Sequence, residues 1–134
     1  MLKSLRAVRT VKSWDETITR QVEGGPKITR CLATYSLAGA IEGDSSLDYS
    51  MVYVSDSKVM FLGYEQVHGT IDGRLGTFVL RHEGAFDSGA ATIEVQIVPE
   101  SARDALAGIS GKGQIHADST DPMKATLDLD VDLP

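Results

Sequence analysis

Hydrophobic residues recur along this chain with a period of two rather than 3.6, the mark of strands whose side chains alternate between a buried and a solvated face. The cleanest run lies near the C-terminus, where Ala125, Leu127, Leu129, Val131 and Leu133 alternate with Thr126, Asp128, Asp130 and Asp132. Residues 46–54 set Leu47, Tyr49, Met51 and Tyr53 against Asp48, Ser50 and Val52. Residues 58–69 put Val59, Phe61, Gly63, Glu65 and Val67 on one face, and residues 75–84 do the same for Gly76, Phe78, Leu80 and His82. Ala91, Ile93, Val95 and Ile97 share a face until Pro99, which has no amide to donate, ends the strand. Residues 7–14 and 28–41 read as two further strands, the second long enough to need a bend near Gly39. Turn signals stand at Asp56-Ser57, Asp72-Gly73 and Asp87-Ser88-Gly89. Only residues 100–107 suggest a helix, of two turns at most.

Seven or eight antiparallel strands with short turns, no long amphipathic helix and no repeat point to a sandwich or a single antiparallel β-barrel. The barrel is preferred, because closure removes the edges that a long, regular terminal strand would otherwise expose. The 134 residues, 42% of them hydrophobic, suffice for one domain over 1–134 with one core and no staples. Charge changes the picture only by exclusion. The formal charge is −6, and Lys3, Arg6, Arg9 and Lys12 are too few, beside an acidic body, to make a phosphate-binding face. They read as a solvated terminal strand, and nucleic acid is not an expected partner. No run approaches membrane-spanning length, so a membrane is not expected either. The single cysteine, Cys31, and a start without an apolar signal centre suggest a reducing cytoplasm.

A barrel of about eight strands has a lumen that is filled by side chains or just wide enough for one small ligand. Glu65 and His82 lie on the apolar faces of successive strands and can be neighbours across the Asp72-Gly73 turn. Burial would raise the carboxyl pKa and lower that of the imidazole, bringing both toward neutrality as general acid–base chemistry requires. The alternative is a buried ion pair that only closes the barrel. Tyr49 and Tyr53 offer hydroxyls to a ligand or simply pack, while Phe61 and Phe78 supply apolar lining. Arg30 could neutralise Glu65 or hold a carboxylate, or be an exposed side chain; Trp14 plugs a mouth or lines the cavity. A metal site is not expected: Glu65 and His68 are an odd number of residues apart and face opposite sides of the strand. No cofactor motif is visible.

The segments SWDE (13–16), GYEQVHGTIDGRLGTFVLRHEGAFDSG (63–89), IVPE (97–100), LAGISGKG (106–113) and the closing LDLDVDLP resemble the bacterial Domain of Unknown Function 3224 family of small barrels. Through it the chain is similar to the eight-stranded barrels of allene oxide cyclases and dirigent proteins. It departs from the family at Val98-Pro99-Glu100-Ser101-Ala102-Arg103-Asp104, where glycines are usual, and at Leu129, where an aromatic is usual. The resemblance implies the barrel and a homo-oligomer, dimer or trimer, but no reaction. The expectation is a barrel binding a mostly apolar small molecule. Catalysis, if it has any, would be a cofactor-independent isomerisation, cyclisation or elimination. The alternative is a non-catalytic carrier or interaction protein.

Overall fold

The alternation builds the walls of the protein in the computed structural model, which describes residues 2–117 and 120–134. The strands are β1 (Leu2–Gln21), β2 (Lys27–Gly39), β3 (Ile41–Ser55), β4 (Lys58–Ile71), β5 (Arg74–Asp87), β6 (Ala90–Ile97), β7 (Arg103–Asp104), β8 (Ser110–Ala117) and β9 (Lys124–Asp132). Their order is β4-β3-β2-β1-β9-β8-β6-β5, and pairing of β4 with β5 closes these eight into an antiparallel barrel, with β7 a short addition against β5. Closure is staggered. Following in-register partners from Glu16 through Cys31, Tyr49, Gly63, His82, Val95, Gly113 and Leu129 returns to β1 at Leu5 rather than Glu16. Strands so staggered tilt steeply about the barrel axis.

Two hairpins use the predicted turn residues. Asp72 (φ 52°) and Gly73 (φ 78°) join Ile71 to Arg74, and Ser88 (φ 52°) and Gly89 (φ 87°) join Asp87 to Ala90. Positive φ at both central positions gives a turn whose twist matches that of the strands. The bend expected near Gly39 is instead a reversal: β2 ends there and Ile41 opens β3. Gly39 has φ 114°, and a Cβ on it would lie 2.8 Å from the Arg6 carbonyl oxygen. The strand read as 7–14 runs over Leu2–Gln21, with pairing irregularities between Val11 and Ser13 and between Ile18 and Arg20.

Residues 100–107 are not a helix. Glu100 and Asp104 have positive φ, and Arg103 and Asp104 pair with Thr77 and Gly76 of β5. Ala102, Leu106 and Ile109 have a helix-like spacing, yet each is buried against the end of the barrel. Burial there overrides the weak helical preference of so short a segment. The segment closes one mouth, and the core behind it contains Ile41, Val67, Ile71, Phe78, Leu80 and Val131. A second core, toward the other mouth, is formed by Cys31, Ala33, Tyr35, Leu47, Tyr49, Met51 and Phe61.

The walls are unequal. β1 to β5 have 13 to 20 residues each, whereas β6, β8 and β9 have eight or nine. β9 pairs with β1 only from Leu2 to Thr10, so β1 continues past it alongside β2 at the second mouth. No helix among the described residues is long and apolar enough to cross a membrane. Because Leu106 plugs the closed mouth, Leu106→Ala is expected to lower the unfolding free energy by about 2–5 kcal/mol in urea melts. A loss near zero would make the segment a surface loop.

Candidate functional site

Between the two apolar clusters runs a polar layer, and each strand contributes by the same alternation that built the core. Arg9 lies between Ala7 and Val11 on β1, Ser45 two positions before Leu47 on β3, Glu65 two before Val67 on β4, and His82 two after Leu80 on β5. All four are buried, Arg9 at 4% exposure and Glu65 and His82 at 0%. Arg9 donates from Nε to Glu65 Oε2 (3.3 Å) and from Nη2 to Oε1 (3.2 Å). His82 Nε2 is 2.8 Å from Oε1, and the Ser45 hydroxyl donates to Oε2. Tyr49 Oη is 2.7 Å from the other imidazole nitrogen, Nδ1. The Arg9 guanidinium also lies 4.0 Å above the Tyr35 ring, a cation–π contact.

The charges settle the protons. Burial alone would raise the Glu65 pKa, but the Arg9 charge, the His82 hydrogen bond and charge, and the Ser45 hydrogen bond together hold it at about 2. The expected upward shift of Glu65 is therefore reversed, because a full cation lies within hydrogen-bond range. His82 does move down as expected, chiefly through burial. A carboxylate only accepts, so Nε2 carries the imidazole proton and donates to Glu65, leaving Nδ1 to accept from Tyr49. Burial raises the Tyr49 pKa and keeps its hydroxyl protonated. Every buried side-chain nitrogen and oxygen among the described residues has a partner.

Two missing side chains make the geometry possible. A Cβ on Gly63 would fall 2.0 Å from the Asp48 carbonyl oxygen and 2.8 Å from Tyr49 Cδ1, and one on Gly84 would fall 2.9 Å from Phe61 Cε2. Tyr49 and Phe61 stack in that space with centroids 4.9 Å apart, and the Tyr49 ring meets His82 edge-on at 5.4 Å.

Glu65, His82, Tyr49 and Phe61 thus come together, while the other sequence candidates separate. Phe78 is buried in the closed-end core. Arg30 is not inside: Thr29, Cys31 and Ala33 are the buried set of β2, so Arg30 projects outward, where it binds Asp48 at 2.6 Å. The cation expected of it beside Glu65 is Arg9, which the charge pattern had assigned to a solvated strand. Its signal was the run Leu5, Ala7, Arg9, Val11, whose alternation places Arg9 inside.

Trp14 and Tyr53 meet at a second carboxylate, Glu16, at the open mouth. The Tyr53 hydroxyl donates to Glu16 Oε2, as does Thr29 Oγ1 (2.7 Å), and Trp14 Nε1 donates to Oε1 (3.3 Å). Burial works against ionisation of Glu16, but these donors and Lys27 lower its pKa. Lys27 Nζ sits 4.5 Å over the Tyr53 ring. Glu16 was missed because Lys12 is skipped in the β1–β2 pairing, which shifts the parity beyond it. Cys31 is fully buried, and burial pushes its thiol up to about 11, which makes it a poor nucleophile. Among the described residues no three His, Cys, Asp or Glu side chains are grouped to hold a metal ion.

A family model described as a protein of unknown function, DUF3224, matches residues 7–129. The chain belongs to the DUF3224 family. A crystal structure of a DUF3224 protein of unknown function from Shewanella oneidensis MR-1 is similar to it, with a TM-score of 0.75 and 20% identity over 97% of this chain and 98% of that one. At that identity the likeness concerns the fold. No curated protein matches the chain. What this DUF3224 barrel does must be argued from its own side chains.

Removing one partner of the buried pair strands the other charge. Arg9→Met is expected to cost about 3–5 kcal/mol of stability, and Arg9→Met/Glu65→Gln to recover much of that loss. The pH dependence has a definite sign. The Glu65 contribution is complete above 4.5 and is lost as pH falls toward about 2. His82, with a depressed folded-state pKa, adds a loss that starts as pH drops below 6.5. Melts of the double variant across pH should show a shallower acid limb between 4.5 and about 2, what remains coming from Glu16, Asp48 and Asp72, whose pKa values are also lowered. Additive single-variant losses would count against this coupling.

Proposed function

We propose that this protein is a small-molecule-binding barrel whose open half takes a mostly apolar ligand, with the Arg9–Glu65–His82–Tyr49 layer as its floor. One observation carries the reading: toward the open mouth, Trp14, Ile18 and Phe86 occupy inner-face positions yet are 48%, 55% and 44% exposed. Exposed aromatic and aliphatic side chains on the inner face of a barrel are the usual lining of a ligand site. The closed half is filled by its own core, so the ligand would rest on Tyr49 and Phe61. The layer beneath has no free polar atom, which favours a binding or carrier role over catalysis. Were acid–base chemistry to accompany binding, Tyr49 and His82 would exchange the proton rather than Glu65. A cofactor-independent isomerisation, cyclisation or elimination would then suit them, by analogy with allene-oxide-cyclase barrels. A reducing cytoplasm fits the buried free thiol of Cys31.

Titration with Nile red, a neutral apolar dye, tests the site. Uptake near one dye per chain is expected, lost in Phe86→Glu and kept in Leu62→Glu, whose side chain lies on the outer face. No uptake, or the reverse pattern, would overturn the reading.

A second feature favours self-association as well. Ile28, Leu32, Val52, Met60, Leu62 and Tyr64 occupy adjoining outer-face positions of β2, β3 and β4. The Arg30–Asp48 ion pair lies within this stripe, Asp48 between Leu32 and Tyr64, and the Arg81–Glu83 pair borders it beside Tyr64 and Leu62, so both signs of charge accompany it on a chain of net −6. A charge-balanced apolar face suits a second copy related by a two-fold axis, arginine facing carboxylate. Sedimentation equilibrium should give twice the chain mass of 14.4 kDa, and Leu62→Glu should halve it. A wild-type monomer at the highest soluble concentration would exclude the dimer.

A further inference from the structure

Glu65 and Glu16 both face inward, but they differ in what their oxygens still have to offer. A carboxylate has about four acceptor positions. Glu65 fills them with two donors from Arg9, one from His82 and one from Ser45. Glu16 Oε2 takes Thr29 and Tyr53, whereas among the described residues Oε1 takes only the long bond from Trp14. Oε1 therefore has acceptor capacity beyond Trp14 at the open mouth, where Trp14 is half exposed. Tyr53 and Thr29 lock the carboxylate from β3 and β2, so it is held in place before a ligand arrives.

We infer that Glu16 is the polar recognition point of the open half, and that the ligand it selects has an apolar body ending in a hydrogen-bond-donating head, a hydroxyl or an ammonium. The inference rests on the ligand-binding reading above and supplies the chemistry of the ligand. A donor head completes the acceptor set of Oε1 while the body lies along Trp14, Ile18 and Phe86. A carboxylate head meets a fixed negative charge on a chain of net −6 and leaves that acceptor unfilled. Lys27 bears on the choice between the two donor heads. It already lies over the Tyr53 ring near Glu16, so it partly offsets the attraction for an ammonium and leaves a neutral hydroxyl unaffected.

The test is displacement of Nile red by three ligands with one chain and different heads: 1-decanol, decylamine and decanoate. Decanol and decylamine should displace the dye, and decanoate should be weaker by roughly tenfold or more, the worth of one charge-assisted hydrogen bond. Glu16→Gln should remove that discrimination while far-UV circular dichroism stays unchanged. Lys27→Met, which leaves Glu16 in place, should tighten decylamine and not decanol. Equal displacement by all three heads, preference for decanoate, or wild-type discrimination in Glu16→Gln would overturn the role of Glu16 and leave the open-half site standing. Failure of the dye itself to bind would instead remove the ligand-binding reading.

Discussion

The Arg9–Glu65 pair is the constraint around which the barrel interior is organised. Neither charge can sit in an apolar lumen alone, since an unpaired buried ion costs more than one strand's packing returns. Their meeting requires that β1 and β4, which are not neighbours in the sheet, be brought face to face across the lumen by the stagger of the closed ring. A slip of one residue in β1 would turn Arg9 outward and leave Glu65 inside without its cation, because side chains change face at every step. The pair therefore penalises wrong registers that apolar packing alone would tolerate. Ser45 and His82 fill the remaining acceptor positions of Glu65, and Tyr49 reaches His82 only because Gly63 lacks a side chain.

The same layer divides the lumen into two halves with different fates. On the closed side, Ala102, Leu106 and Ile109 from the connection between β6 and β8 pack into the core, and the interior is occupied by the protein itself. On the open side, β1 continues past β9, whose pairing with it ends at Thr10, so the inner face of its distal half has β2 on one side and, among the described residues, no strand on the other. Exposure of Trp14 and Ile18 thus follows from unequal strand length, and that of Phe86 from its place one residue from the end of β5, not from a failure of the alternating pattern.

What the sequence made legible follows the same geometry. Where alternation was unbroken, as around Glu65, His82, Tyr49 and Phe61, the inward face could be assigned and the neighbourhood of the first two anticipated. Arg9 obeyed the same rule, but its charge suggested a solvated strand, and the alternation was the better guide because a partner lay across the lumen. Arg30 failed for the opposite reason: apolar Ile28 and Leu32 flank it on an outer face that carries exposed hydrophobics, so apolar neighbours did not imply burial. Glu16 was hidden by the pairing irregularity at Lys12, which no composition rule locates. The connection over residues 100–107 was misread because its buried apolar residues imitate helical spacing while its backbone takes positive φ.

The direction of the Glu65 shift decides where chemistry can occur. A carboxyl held at about 2 does not exchange its proton near neutral pH, and one whose acceptor positions are full cannot take a ligand donor without releasing Arg9, His82 or Ser45. Releasing any of them exposes an uncompensated charge or polar group to the interior, so the layer resists intrusion. Glu16 carries the same functional group under the opposite conditions: it lies at the rim, is anchored by neutral donors, and has acceptor capacity to spare. The buried carboxylate is thus engaged on every acceptor position by the barrel's own side chains, and in the proposed binding role recognition of a ligand would fall to the one that a molecule entering the open half can reach.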